Sequence, residues 1–348
     1  MKKVLVALSG GVDSACACIL LRQQGYEVAG ATMLLRDGGE REAEDAHLAA
    51  QQLGIPFYLF DLKEEFQKNV IAPFTEVYRC GGTPNPCVVC NRTMKFGIFL
   101  EKALELGFDA IATGHYAKIF KQDGRFLLSA ADDRAKDQTY MLCTLNQYQL
   151  AHTLFPLGEV QNKEQVRALA ERAGLKLAGK HDSQDICFVP DGDYMGYLTL
   201  HGLVPQKGNY ITIDGTVLAP HKGMEAYTTG QRRGLGIALG ERTYVLGKRG
   251  TDVVLGVEEA LYARRVSVRD VNYIPFDCPT QPLRVQAKLR YTTKFAPALL
   301  MPMADGCELL FDTPQRAVTP GQTAVFYDGG LVIGGGTIEK TLSEEETK

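Results

Sequence analysis

The first residues whose types and spacing could do chemistry are Leu8-Ser9-Gly10-Gly11-Val12-Asp13-Ser14-Ala15. Val4 to Leu8 is an apolar run of strand length, and Ala15 to Leu21 reads as a buried helix closed by Gly25. The segment therefore joins a strand to a helix. Ser9, Gly10 and Gly11 can aim backbone N–H groups into one hollow, while Asp13 and Ser14 start a helix whose dipole favours an anion. That is a phosphate cradle built from backbone. It lacks the lysine that a GxxxxGK[ST] loop uses on the β- and γ-phosphates, which argues against γ-phosphoryl transfer, and the GxGxxG dinucleotide pattern is absent too. A nucleotide held this way suits attack at the α-phosphorus, with pyrophosphate as leaving group and an adenylated substrate as product.

Two cysteine-bearing stretches supply a nucleophile for such an intermediate. Gly81 to Asn91 (GGTPNPCVVCN) reads as a loop held extended by two prolines that ends where the helix bearing Phe96 begins. A helix N-terminus stabilises thiolates, so a depressed pKa is expected at Cys87 or Cys90. Asp182 to Pro190 (DSQDICFVP) is a polar loop carrying Cys187. CxxC with a distant cysteine also matches a structural zinc site completed by Cys80 or a histidine, and both readings stay open. Cys16, Cys18, Cys143, Cys278 and Cys307 lie in apolar or strand-like settings and are expected as small core residues. His47 shares a face with Ala43, Ala46 and Ala50, without a second histidine at i+4, and is expected in the core.

The elements that must position these groups follow from pattern. In the first half, strand-like runs at Val28 to Leu34, Pro56 to Phe60 and Asp109 to Ala112 alternate with helical periods, such as Phe96, Phe99, Leu100, Ala103 and Leu104 on one face. Alternation of this kind predicts a doubly wound parallel sheet, with ligands beyond the carboxyl ends of its strands, where Gly114 and His115 also fall. After about Leu203 the pattern turns to short strands broken by Gly and Pro, at Asn209 to Val217, Tyr244 to Leu246, Val253 to Val257 and Arg265 to Val271. Arg284 to Tyr291 alternates as a half-buried strand with a basic outer row, and Thr323 to Ile333 reads as two strands about Asp328-Gly329-Gly330. The expected domains are 1–203, a small central unit 204–264 and a β-barrel 265–348. A chain of 348 residues with nine cysteines, and with no signal-like or long apolar segment, is expected to be soluble, cytoplasmic and free of membranes, its cysteines intracellular thiols. A net charge of −3 does not announce a nucleic-acid binder, so any such role needs local basic patches. His221 to Gly250 supplies one, with six basic residues against two acidic.

SGGVDS resembles the signature of the PP-loop ATP pyrophosphatases. Together with TPNPCVVCN, ATGHYA, KDQTYML, DSQDICFVP, YTTGQRRGLGIA, LRY and PGQTAVFYDGG followed by IGGGTI, it makes nearly the whole chain similar to the bacterial tRNA-uridine 2-sulfurtransferases, or 2-thiouridylases. The resemblance implies a PP-loop domain, a small central domain and a C-terminal β-barrel. It implies 2-thiolation of the wobble uridine in the tRNAs for Lys, Glu and Gln, using ATP, Mg2+ and sulfur relayed from a cysteine desulfurase or another persulfide or sulfide donor. By motif, Ala7, Leu8, Ser9, Gly10, Gly11, Val12, Asp13, Ser14, Met33 and Gly114 would hold ATP, with Asp13 near magnesium and pyrophosphate. Cys90 would be the nucleophile and Cys187 the persulfide carrier. Asn85, Pro86, Cys87 and His115 would border the target base, and Lys136, Asp137, Gln138, Arg290, Tyr291 and Gln322 would contact tRNA. The chain departs from the familiar pattern at Cys87, where Asp is usual. Two chemistries follow: a persulfide relay with Cys87 a bystander, or an iron–sulfur cluster held by Cys87, Cys90 and Cys187 that delivers sulfide. A PP-loop ligase or amidotransferase of the argininosuccinate-synthetase type would share the loop but have no use for Cys90 and Cys187, and a non-catalytic RNA-binding protein would not need the loop.

Overall fold

The computed structural model describes residues 1–175, 186–189, 192–238 and 242–342. Five parallel strands form the first sheet: β1 (Lys3–Ala7), β2 (Glu27–Leu34), β3 (Phe57–Asp61), β4 (Ala110–Ala112) and β7 (Thr153–Leu154), in the order β3-β2-β1-β4-β7. Val4, Leu5 and Val6 are all fully buried, as a strand covered on both faces requires. Val4 and Val6 pack on α1 (Val12–Gln23), α2 (Glu40–Leu53) and α6 (Lys163–Arg172) through Ala15, Cys18, Ala46 and Val166. Leu5 points the other way, onto Phe96, Phe99 and Leu100 of α4, residues 86–105. The sheet order reverses beside β1, so β1 and β4 together open the crevice in which Gly10 and Gly114 lie.

Several local expectations change. Gly81 to Asn91 is not an extended loop throughout, because Pro86 opens α4 itself and Asn85 caps it, its Oδ1 accepting from Val88 N at 3.4 Å. Cys87 and Cys90 thus share one face of the first helical turn, followed by a π-helical stretch, Asn91–Ile98. His47 is exposed, its ring against Phe57 and its Nε2 2.9 Å from Gln51 Nε2. The buried stripe of α2 is Ala46, Ala49, Ala50 and Leu53, and one residue's rotation takes His47 off it. Cys278 is exposed in a loop between Asp277 and Pro279, whereas Cys16, Cys18, Cys143 and Cys307 are buried as expected. Asn209 to Val217 is not one strand. It divides into β8 (Gly208–Ile211) and β9 (Val217–His221) about a turn with Gly215 at φ 93, and these join β10 (Tyr244–Arg249) and β11 (Asp252–Gly256) in a four-stranded central sheet. The polar loop 182–185 and the tail from 343 lie outside the described residues.

The third unit is a barrel of six strands, β12 (Tyr262–Tyr273), β13 (Leu283–Lys288), β14 (Ala296–Met303), β15 (Gly306–Arg316), β16 (Thr323–Asp328) and β17 (Leu331–Leu342), closed by the β12–β17 pairing. An element the sequence reading missed ties it to the first unit: the hairpin β5 (Ala117–Gln122) and β6 (Arg125–Ala130) adds to the barrel sheet, with Ala130 N donating to Gly330 O at 2.8 Å. Its signal was Asp123-Gly124, both at positive φ between two strand-like runs. The two units share one core, in which Ile274, Val325, Tyr327 and Val332 of the barrel meet Phe96, Tyr140 and Leu142. Glycine makes that approach possible, since a Cβ on Gly335 would stand 2.6 Å from Cys143 Sγ and 2.8 Å from Ala324 O. Gly335→Ala should therefore destabilise the chain by about 1–3 kcal/mol through overpacking. Thermal unfolding of the two proteins checks it, and an unchanged midpoint would mean that the contact is loose.

Candidate active site

The cradle forms where β1 ends. Leu8 N donates to Ala31 O at 2.8 Å, Gly10 turns the chain at φ 70, and Gly11 precedes α1 with no side chain capping the helix start. A Cβ on Gly10 would lie 2.6 Å from Asp45 Cβ, and one on Gly114 2.8 Å from Ser14 N, so both positions need glycine for space. Ser14 is locked inside: its Oγ donates to Gly11 O at 3.0 Å and accepts from Ser9 N at 3.2 Å. Met33 lies half-buried near the end of β2. The turn at Gly10 and Gly11 leads into the uncapped start of α1, an arrangement that suits an anion.

The lysine missing from the loop enters from elsewhere in the chain. Lys163, the first residue of α6, reaches both carboxylate oxygens of Asp13, at 2.7 and 2.6 Å, and the buried Tyr116 donates its OH to Asp13 Oδ1 at 2.9 Å. Asn162 caps α6 by accepting from Gln165 N at 3.0 Å, which fixes the helix start and Lys163 with it. Sequence reading missed Lys163 and Tyr116, and only the N-cap pattern of Asn162 ahead of the helix marked the place.

At the other side of the site, Cys90 is partly buried and packs against a cluster containing Phe66, Phe74, Tyr78, Met94 and Phe188. Phe188 is the anchor for its exposed neighbour Cys187, with its ring centroid 5.5 Å from Phe66 and 5.2 Å from Phe74. Burial pushes the Cys90 thiol up to about 12, although the Lys95 charge opposes it. Cys87 retains exposed surface, yet the surrounding protein raises its pKa too, again against Lys95. The expected depression at the helix N-terminus is thus overturned, because desolvation outweighs the dipole and Lys95. Charge on Cys187 raises both of the other thiols further, so the three are electrostatically linked. His115 is held well below its ordinary value by burial first and Lys95 second, and its Nδ1 lies 2.7 Å from Thr113 Oγ1. It is a neutral imidazole near pH 7.

A cluster or zinc ion would need three or four of these groups directed at one point. Among the described residues, no three His, Cys, Asp or Glu side chains are placed to hold a metal ion. Cys80 instead donates to Glu76 Oε1 at 3.4 Å, at the end of the helix 63–79. Neither the zinc reading nor the iron–sulfur reading finds a preformed ligand set among the described residues.

Several residues expected to touch RNA are partly buried and hydrogen-bonded within the protein. Asp137 accepts from Ala131 N at 3.2 Å and Thr139 Oγ1 at 2.6 Å, and Gln138 Oε1 accepts from Tyr116 N at 3.0 Å. Arg290 donates to Thr229 O at 3.2 Å, to Ala317 O at 3.0 Å and to Thr319 Oγ1. Gln322 donates to Thr83 O at 3.1 Å and Pro84 O at 3.0 Å, directly ahead of the Asn85 cap. In the basic strand, Arg284 is paired with Asp312 at 2.6 Å. Lys136 and Tyr291 lie beside the site, Tyr291 with its OH 3.4 Å from Asp137 O.

A doubly wound sheet with this glycine turn at its switch point, two cysteine-bearing segments and a barrel that shares its core are the features of an enzyme of the PP-loop nucleotide-using class. Residues 2–191 match the tRNA methyl transferase HUP domain family, 198–257 the tRNA methyl transferase PRC-barrel domain and 263–338 the aminomethyltransferase β-barrel domain. The chain is 47% identical to tRNA-specific 2-thiouridylase MnmA 1 of Clostridium tetani, covering 98% of both chains. It is 46% identical to tRNA-specific 2-thiouridylase MnmA of Acetivibrio thermocellus, over 97% of this chain and 99% of that one. The chain belongs to the tRNA-specific 2-thiouridylase family. No helix among the described residues is long and apolar enough to cross a membrane.

The buried Cys90 thiol makes a direct prediction. Because its pKa lies near 12, only a small thiolate fraction exists at pH 7.5, and each unit of pH should raise its alkylation rate about tenfold. Iodoacetamide labelling of the free protein, read by peptide mass spectrometry between pH 7 and 10, measures this. A rate that levels off near pH 8 would show a titrating group that burial does not hold.

Proposed function

We propose that the protein thiolates the 2-position of the wobble uridine in tRNA, with ATP activating the base and a cysteine persulfide supplying sulfur. The observation that carries this reading is the pairing of an α-phosphate-attack cradle with Cys90 on the apolar cluster that also anchors Ile186 and Phe188, the neighbours of the exposed Cys187. Although the matched domain families carry methyltransferase names, methyl transfer to carbon or nitrogen has no need of an ATP cradle opposed by two thiols. The tRNAs for Lys, Glu and Gln are those implied by the motif resemblance, as are the cytoplasm and a desulfurase or relay protein as donor.

ATP fits the cradle from Ala7 to Ser14, with Met33 and Gly114 at its borders. Asp13 is the carboxylate that would hold magnesium, which when bound offsets triphosphate charge, and Lys163 is the cation that would offset the departing pyrophosphate. Uridine O2 attacks the α-phosphorus, and the bond to pyrophosphate breaks, leaving an O2-adenylated base. The terminal sulfur of a Cys187 persulfide then attacks C2 and expels AMP. Cys90, as thiolate, attacks Cys187 Sγ. The S–S bond to the transferred sulfur breaks with its electron pair passing to that sulfur, releasing the 2-thiouridine and leaving a Cys90–Cys187 disulfide for an external thiol reductant. Lys95 is the group that favours the Cys90 thiolate this step needs, and the neutral His115 and the exposed Cys87 line the approach.

Incubation with ATP, Mg2+, tRNA and a persulfide donor should yield AMP and pyrophosphate in step with a thiolated nucleoside seen by mass. Asp13→Ala should abolish both while the unfolding transition persists. ADP and orthophosphate as principal products would sink the reading.

A second measurement concerns how a chain of net charge −3 holds a polyanion. Arg232 and Arg233 are exposed on the central unit. Their reversal to Glu should weaken tRNA binding by tenfold or more at low salt and flatten its salt dependence, while leaving ATP binding in place. Equal loss of ATP and tRNA binding would contradict the assignment.

A further inference from the structure

At the end of β13, Lys288 groups with Tyr291, which the family resemblance already assigns to tRNA contact, and with Phe295 and Tyr140, to which the reaction above gives no task. Lys288 Nζ stands 5.3 Å from the ring centroid of Phe295, 5.5 Å from Tyr291 and 5.9 Å from Tyr140. Tyr140 is buried, but Phe295 and Tyr291 keep 48% and 41% of their surface exposed. Their edges are fixed nonetheless. Phe295 meets Tyr327 edge-on at 5.0 Å, while Tyr291 packs on Tyr140 at 5.9 Å and donates its OH to Asp137 O. Two large rings held rigidly at solvent, with a cation over them, forgo the burial that ordinarily repays aromatic surface.

Position and charge indicate what covers them. Tyr140 hydrogen bonds to Asn85, the cap of the helix that carries Cys87 and Cys90, so the rings begin one side chain away from the reacting groups. Lys288 lies over both exposed rings and the charge of Lys136 acts on Tyr291, while the nearby carboxylate of Asp137 is engaged by Ala131 N and Thr139. Flat rings interleaved with lysines match an unpaired polynucleotide, whose bases stack and whose phosphates need cations.

We propose that Tyr291, Phe295 and Lys288 form a stacking platform for the unpaired nucleotides that flank the base being thiolated. The inference rests on the tRNA-thiolation reading. One ring takes a neighbouring base on its exposed face, and Lys288 meets the phosphate between stacked nucleotides. Holding the neighbours apart leaves the target base unstacked and free to enter the site.

The test uses the full chain and an anticodon stem-loop RNA with 2-aminopurine replacing the nucleotide next to the target uridine. Wild-type protein should quench the fluorescence by stacking. Phe295→Ala should lose the quench and raise the RNA Kd by about tenfold, in the range of one base stack, whereas Phe295→Tyr should keep both. A thermal midpoint shared by the three proteins shows that the fold is retained. If wild-type protein thiolates the RNA and Phe295→Ala binds and quenches like it, the platform alone is refuted. If wild-type protein neither binds nor thiolates the RNA, the thiolation reading falls and the platform with it. If Phe295→Ala leaves RNA binding intact and slows thiolation only when a donor protein supplies the sulfur, the patch docks a protein and the proposal is overturned.

Discussion

The arrangement of the site depends on how the short segment from Gly81 to Asn85 is gripped. Lys248 of the central sheet donates to Gly81 O at 2.6 Å, Gln322 of the barrel donates to Thr83 O and Pro84 O, and Thr83 N donates to Pro320 O at 2.9 Å. Within this segment Gly81 is thus bonded by the central unit, and Thr83 and Pro84 by the barrel. Gly82 and Gly321 allow the contact, since a Cβ on Gly321 would lie 2.8 Å from Val77 Cγ1 and 3.0 Å from the Thr83 backbone. Because Asn85 then caps α4, the grip sets where the helix starts and so where Cys87 and Cys90 point. Burial takes the Lys248 pKa down to about 8, the expected result for an ammonium removed from water with only Glu225 near enough to support its charge.

Charge is managed on opposite sides of the site by different means. At the cradle, Lys163 neutralises Asp13 before any nucleotide arrives, so no buried carboxylate stands alone. At the thiols, desolvation raises the pKa of Cys90 and of Cys87 against the opposing charge of Lys95. Lys95 acts on both thiols and on His115, favouring the thiolates and disfavouring imidazolium. Reactivity in such a site is gated by local charge and solvation, not by a permanently ionised nucleophile.

The polar side chains of the segment KDQTYML also have a structural role. Asp137 and Gln138 shape the turn that presents Tyr140, and Tyr140 in turn links the barrel, through Thr323 O at 2.8 Å, to the helix cap at Asn85. Arg290 similarly ties the barrel to Thr229 of the central unit.

The local chemistry was legible in the sequence because it is written in short range. LSGGVDS between a strand and a helix defines a cradle, alternating apolar runs define the parallel sheet, and the change of pattern after Leu203 marks the β-rich half. What the sequence could not show are quantities set by distant parts of the chain. The protonation of Cys90 is one, since Phe66, Phe74 and Phe188 remove its water from positions far apart in sequence. The lysine of the cradle is another, placed 150 residues after Asp13 by the packing of α6 on α1. The hairpin β5–β6 and the bonding of Gln322 to Thr83 and Pro84 complete the set, because both are decided by which edge the barrel presents to the first unit. Residue type and spacing determine what each group can do; solvation and charge at the site depend on what the fold brings within a few ångströms, and only tertiary packing specifies that.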